Sequence, residues 1–92
     1  MKIKSYMDEY DVNVIETKYY DGNYAVLLEC TDGEPFGNLT VNLGRPLPDK
    51  YAFLDVNNIP DAERFVVENG LGVFTGMMEQ SGFVAYPLYV FN

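Results

Sequence analysis

Asp21-Gly22-Asn23 stands between two runs of β-branched and aromatic residues, Val12 to Tyr20 and Tyr24 to Cys30. Asp-Gly in that setting is the strongest short-range hairpin signal, because glycine accepts the positive φ of a tight turn between twisted strands. In the second run Tyr24, Val26, Leu28 and Cys30 share one face and Leu27 and Glu29 the other, so Cys30 is expected as a buried, inert thiol. A chain that opens on such a hairpin is committed early to antiparallel sheet.

The remaining segments extend that sheet. Asp32-Gly33-Glu34-Pro35 is a second turn, and Phe36 to Leu43 alternates with Leu39, Val41 and Leu43 on one face and Asn38, Thr40 and Asn42 on a wet one. Gly44-Arg-Pro-Leu-Pro-Asp49 is a loop, since two prolines fix φ and remove donors. Tyr51 to Val56 reads as a further strand. One helix is expected at about 59–69, with a capping Asn in Asn57-Asn58 and Pro60 in the first turn. Its apolar positions are Ala62, Phe65 and Val66, and Gly70 ends it. Beyond it, three glycines (Gly72, Gly76, Gly82) predict a loop with a short strand near Val73 to Met78. Met77 and Met78 are expected to plug the core from that loop. Phe83 to Phe91 then reads as a terminal strand with Pro87 at an edge or a bulge.

The fold expected is therefore α+β: one domain over residues 1–92, a mainly antiparallel sheet of about five strands and one helix packed on one face. The expected core is Val14 or Ile15, Val26, Leu28, Leu39, Val41, Leu43, Phe53, Ala62, Phe65, Val66, Val84 and Leu88.

Composition narrows function mostly by exclusion. With no histidine and one cysteine among 92 residues, Ser-His and Cys-His nucleophilic pairs are absent. A single cysteine forms no internal disulfide. No apolar run approaches a membrane span, and the charged first ten residues carry no secretory signal, so a cytoplasmic location is expected. Asp55 to Glu63 places oxygen side chains at alternate positions, but Ile59, Pro60 and Val66 stand where a calcium loop needs a ligand, a glycine and a bidentate Glu. Gly70-Leu-Gly72-Val-Phe-Thr-Gly76 follows a helix and has no nearby base, so it is not a phosphate cradle. No catalytic, cofactor or metal site is assigned, and an enzyme is not expected.

Charge is what remains. The net charge is −8, and residues 8 to 34 carry eight acids against Lys18 alone. Such a field repels nucleic-acid phosphates and favours basic partners. Tyrosines interleave these acids, a composition suited to protein contact. Asp8, Glu9, Asp11, Tyr20, Asp21 and Tyr24 are therefore the candidate partner surface, and a basic protein the expected partner. A second reading places a small ligand or cation in the 70–82 loop, among Met77, Met78, Glu79 and Gln80.

The order Leu39-Thr-Val-Asn-Leu-Gly44, Leu47-Pro, Ala52-Phe, Asp55, Asn57-Asn58, Glu68-Asn-Gly-Leu71, Thr75-Gly76, Ser81-Gly-Phe83 and Tyr86-Pro-Leu-Tyr89 resembles a family of small acidic domains, domain of unknown function 4313. That resemblance brings an association with gut Gram-positive bacteria and mobile genetic elements, and no activity or site to carry over. It implies an accessory or host-defence-inhibiting role, nuclease inhibition being the most specific form. No strand shows the row of acids that phosphate mimicry would use, since Glu16 has Val14 and Lys18 as its same-face neighbours.

Overall fold

A computed structural model describes residues 1–92. The chain runs β1 (Lys2–Ser5), β2 (Asp8–Lys18), β3 (Tyr24–Cys30), β4 (Pro35–Asn38), β5 (Thr40–Val41), β6 (Tyr51–Leu54), α1 (Ala62–Glu68), β7 (Gly72–Ser81) and β8 (Val84–Phe91). These form two four-stranded sheets rather than one of about five strands, in the orders β1-β2-β3-β4 and β5-β6-β8-β7. Every pairing is antiparallel. A single short helix completes an α+β architecture.

The hairpin of β2 and β3 forms as the Asp-Gly turn predicts, with Lys18 opposite Tyr24, Val12 opposite Cys30 and Gly22 at φ 91°. β1 has no counterpart in the sequence reading. It pairs Ile3 with Tyr10 and Ser5 with Asp8 around a two-residue turn, Tyr6-Met7. The Tyr6 backbone takes φ 56° there, a left-handed conformation that turn-forming glycine or asparagine would adopt at less cost.

The segment expected as one strand from Phe36 to Leu43 divides at Leu39. That residue is fully buried, donates its N–H to Val26 O of the first sheet and accepts from Asp55 N beside the second. It is the corner where the chain changes sheets. The alternation fails at this corner because both sheets close over it: Thr40, expected on the wet face, is buried. Its hydroxyl accepts the Val26 N–H at 3.1 Å and meets Tyr19 Oη at 2.8 Å. A buried hydroxyl with two partners carries little desolvation cost.

The helix is shorter than expected. Ile59 to Asp61 form turns, and Asp61 rather than an asparagine precedes the first helical residue. Asn58 serves a different turn: its N–H and side-chain amide both reach the Asp55 carboxylate, at 3.2 and 2.9 Å. Gly70 at φ 63° ends the helix in the expected conformation. Ala62, Phe65 and Val66 enter the core. There they meet Ile3, Val12, Val26, Leu28, Leu39, Leu54, Tyr89 and Phe91, so one helix face and the inner faces of both sheets share one interior. Of the expected core, Val14, Val41, Leu43 and Val84 are only half-buried and Ile15 is exposed.

The expected loop at 70–82 is a ten-residue strand. Its pairing with β8 slips between Phe74 and Met78, so Thr75, Gly76 and Met77 face Leu88 alone. Gly76 at φ 88° turns this bulge, and the Thr75 hydroxyl supplies the donor that Leu88 O lacks, at 2.8 Å. β8 lies in the interior of its sheet, not at an edge, yet it contains Pro87. The Phe91 N–H donates to Lys50 O. By the alternation of the ladder, Pro87 turns its nitrogen toward β6, whose pairing ends one residue earlier at Phe53–Leu88. The missing donor falls where the ladder stops. Met77 and Met78 are 60% and 53% exposed and so do not plug the core.

Candidate functional site

β2 carries the acidic surface, and its two edges are occupied unequally. Met1 continues the β1 pairing to Val12, exchanging bonds of 2.8 and 3.1 Å along one edge. β3 pairs along the other edge only from Val12 onward, its continuation ending in Thr31 N–H to Asp11 O. The stretch Asp8 to Tyr10 therefore has an uncovered edge. A cleft of about 790 Å³ opens beside it, bounded by the turn after β3, by β4 and by the Asp55–Ile59 turn.

Five carboxylates line this cleft, those of Glu9, Asp11, Asp32, Glu34 and Asp55, and no basic side chain does. Two are engaged. The Met1 amine and Lys2 hold Asp11 below its ordinary pKa, at 3.1 and 3.5 Å, and Asn58 takes both oxygens of Asp55. Glu9, Asp32 and Glu34 have no cationic partner. Tyr10 and Phe36 form an edge-on aromatic pair in the wall, ring centres 5.3 Å apart. The Cys30 thiol, half-buried in the same wall, is pushed up in pKa by desolvation and by Asp32, Glu34 and Glu29. It stays protonated and unreactive near neutrality.

The Tyr6-Met7 turn stands at the rim, next to Ser5, which lines the cleft. Both residues are as exposed as in an open chain, at 103% and 100%. An aromatic and a thioether side chain thus project beside the acidic cleft, next to Lys4 and Asp61.

The structure brings Glu9 and Asp11 together here, leaves Asp8 beside them on β2 but outside the lining, and adds Asp32 and Glu34. It does not bring Tyr20, Asp21 and Tyr24 to the same place. They sit at the far end of the β2–β3 hairpin, roughly 30 Å along an eleven-residue strand. Tyr20 is fully exposed there. Asp21 ties its turn to a neighbouring loop, accepting from Asn42 Nδ2 at 2.9 Å and Asn23 N at 3.0 Å; these bonds lower its pKa. Tyr24 is no surface residue at all. It is 6% exposed, packs its ring on Phe91 at 5.4 Å beneath Lys50, and gives its hydroxyl proton to Glu16. Burial and Glu16 raise the Tyr24 pKa well above the usual tyrosine range.

Two elements of the site were missed in the sequence. Nothing in Tyr6-Met7 signals a turn, so the projecting rim was hidden. Asp32 and Glu34 were read as turn residues; that the β3–β4 turn faces the start of β2 depends on strand order. The 70–82 segment, meanwhile, is strand from Gly72 to Ser81 rather than loop; Met77, Met78 and Glu79 line a cavity of about 290 Å³ together with Arg45, Leu47 and Phe53, and Glu79 is bound to Arg45. No group of three or more acidic or thiol side chains is placed to hold a metal ion. No helix is long and apolar enough to cross a membrane.

Two antiparallel sheets sharing one core, one short helix and an acidic cleft at the open edge of a central strand define a small α+β domain. The chain belongs to the family of domain of unknown function 4313, whose model matches residues 1–92. No curated protein and no solved structure matches it.

Proposed function

We propose that the protein is a non-catalytic interaction domain whose contact face is the acidic cleft together with the Tyr6-Met7 tip, and whose partner is a basic protein. The observation that carries this reading is Tyr6. A left-handed backbone costs a non-glycine residue about 1–2 kcal/mol, and a fully exposed side chain returns nothing to the fold for it. Strain retained at an exposed aromatic residue is accounted for by what that residue touches in a complex. The surroundings agree. A projecting apolar anchor at the rim of a cleft lined by Glu9, Asp32 and Glu34, none of which has a cation of its own, matches an interface with an apolar centre and a charged rim. The carboxylates would steer a basic partner and Tyr6 would fix it.

The test replaces Glu9, Asp32 and Glu34 by lysine in one variant and Tyr6 by glycine in another. Affinity capture from the native host, quantified against wild type, is expected to lose the same basic partner with both variants. Loss with the lysine variant should be greater at low salt, where screening is weakest. Recovery of the same partners at undiminished yield by both variants would remove the proposal. A plasmid-protection assay on the same set decides whether the partner is a nuclease, the role that the association with mobile elements would favour.

A further inference from the structure

The two sheets end in four edges: β1, β4, β5 and β7. Three of them are defended against pairing with another chain. β1 carries Lys2 and Lys4, β4 is four residues long and contains Pro35 and Gly37, and β5 has only two residues. β7 is ten residues long, with no proline and no lysine. Its one ionisable side chain, Glu79, is already bound to Arg45. Val73, Phe74, Met77 and Met78 are each between 45% and 60% exposed, and Phe83 at the tip of the same hairpin is 105% exposed.

We propose that the free edge of β7 is a dimerisation edge, on which a second copy of this chain pairs its own β7 in antiparallel sense. Charge leaves this edge as the contact that two copies can make without repulsion. Two chains of net charge −8 repel over most of their surfaces, but the unpaired carboxylates Glu9, Asp32 and Glu34 belong to the other sheet. β7 brings no free charge to a two-fold contact. Area agrees: the five exposures amount to roughly three whole side chains, on the order of 600 Å² at about 200 Å² each. A standard interface takes about 800 Å² per partner, and the backbone of the paired edges supplies much of the difference. Backbone polarity agrees as well. The two-residue turn at Gly82-Phe83 directs Ser81 and Glu79 toward β8 and leaves the N–H and C=O of Gln80 and Met78 facing outward. The bulge at Thr75–Met77 divides the edge into two stretches, Gly72–Phe74 and Met78–Ser81, and the second copy pairs along both.

An interface of this size falls in the weak class, with association expected between about 10 μM and about 1 mM. Sedimentation equilibrium on the full chain should show a monomer–dimer transition in that range, strengthened by added salt as it screens the repulsion. The partner contact at the acidic cleft should weaken with salt, so failure of either reading is recognised separately. The double variant Val73→Lys, Met77→Lys, altered only at exposed positions, should remain monomeric throughout. Amide hydrogen exchange on the unaltered chain needs no variant. The Met78 and Gln80 amides should exchange at least about tenfold more slowly when the chain is mostly dimeric. A wild type that stays monomeric at about 1 mM, a dimer that survives both lysines, or Met78 and Gln80 amides whose exchange ignores concentration would each overturn the proposal.

Discussion

The two sheets share a core and present opposite surfaces. The first, β1 to β4, turns unpaired carboxylates and a strained aromatic tip outward. The second, β5 to β8, turns outward a neutral strand with four half-exposed apolar side chains. One interior supports both because the corner at Leu39 and the helix bind each sheet to the other. Each outer surface is then free to differ, since stability is lodged in the shared layer. The lesson is that burial and surface chemistry separate cleanly here: residues that hold the sheets together are not those that distinguish them.

Removing the shared layer should therefore injure both sheets equally. Phe65 is completely buried, and Phe65→Ala is expected to lower stability by about 3–5 kcal/mol in denaturant unfolding, with one cooperative transition. Two transitions would mean that the sheets are separate units. Gly72→Ala probes the second sheet alone. A Cβ at that position would lie 2.6 Å from Val90 O, a backbone atom with little freedom to yield. The expected loss is about 1–3 kcal/mol, from overpacking rather than from backbone angles.

Asp61 joins the helix start to the first sheet and should have an intermediate effect. It accepts the Lys4 N–H at 2.8 Å and the Arg64 Nε–H at 2.6 Å, and the Arg64 contact, foremost, lowers its pKa. A carboxyl whose folded pKa is depressed contributes fully above its unfolded value, near about 3.9, and loses that contribution as pH falls through the folded value. Asp61→Asn should cost about 1–2 kcal/mol at neutral pH. It should also flatten the loss of stability of the wild type in acid, as followed by urea unfolding across the acidic range. An unchanged acid limb would place the titrating group elsewhere.

The smallest effects belong to the distinctive surfaces. Tyr6→Gly should raise stability by about 0.5–1 kcal/mol, because glycine accepts the left-handed turn. Lysine at Glu9, Asp32 and Glu34 together should shift stability by no more than about 0.5 kcal/mol per site. A large loss from either variant would show that the first sheet's outer surface is structural after all.

The shared layer was legible in the sequence and the surfaces were not. Val26, Leu28, Leu39, Phe53, Ala62, Phe65, Val66 and Leu88 announce themselves by period and are buried. Local periodicity stops at the corner, where Thr40 is buried from both sides. It stops also at β1, whose turn has no glycine, asparagine or aspartate to mark it. Three glycines made β7 look like a loop. In the fold one turns a bulge, one turns a hairpin, and Gly72 makes room for a neighbouring backbone. Of the candidate surface, Glu9 and Asp11 share the cleft because they lie two residues apart on one strand, a spacing that leaves Asp8 outside its lining. Tyr24 was misplaced because tyrosine among acids reads as exposed, while its register on the core face with Val26 and Leu28 was the better guide.

In the proposed interface the acidic cleft and the Tyr6-Met7 tip act together as one contact face. Titrating the isotope-labelled protein with a short peptide of alternating lysine and leucine, followed by amide chemical shifts, tests it most directly. Saturable shifts are expected at Tyr6, Met7, Glu9, Tyr10, Asp32 and Glu34 alone, weakened by salt and by Tyr6→Gly. Shifts spread evenly over all the carboxylates, including Glu29, Glu63 and Glu68, with no response at Tyr6, would contradict it.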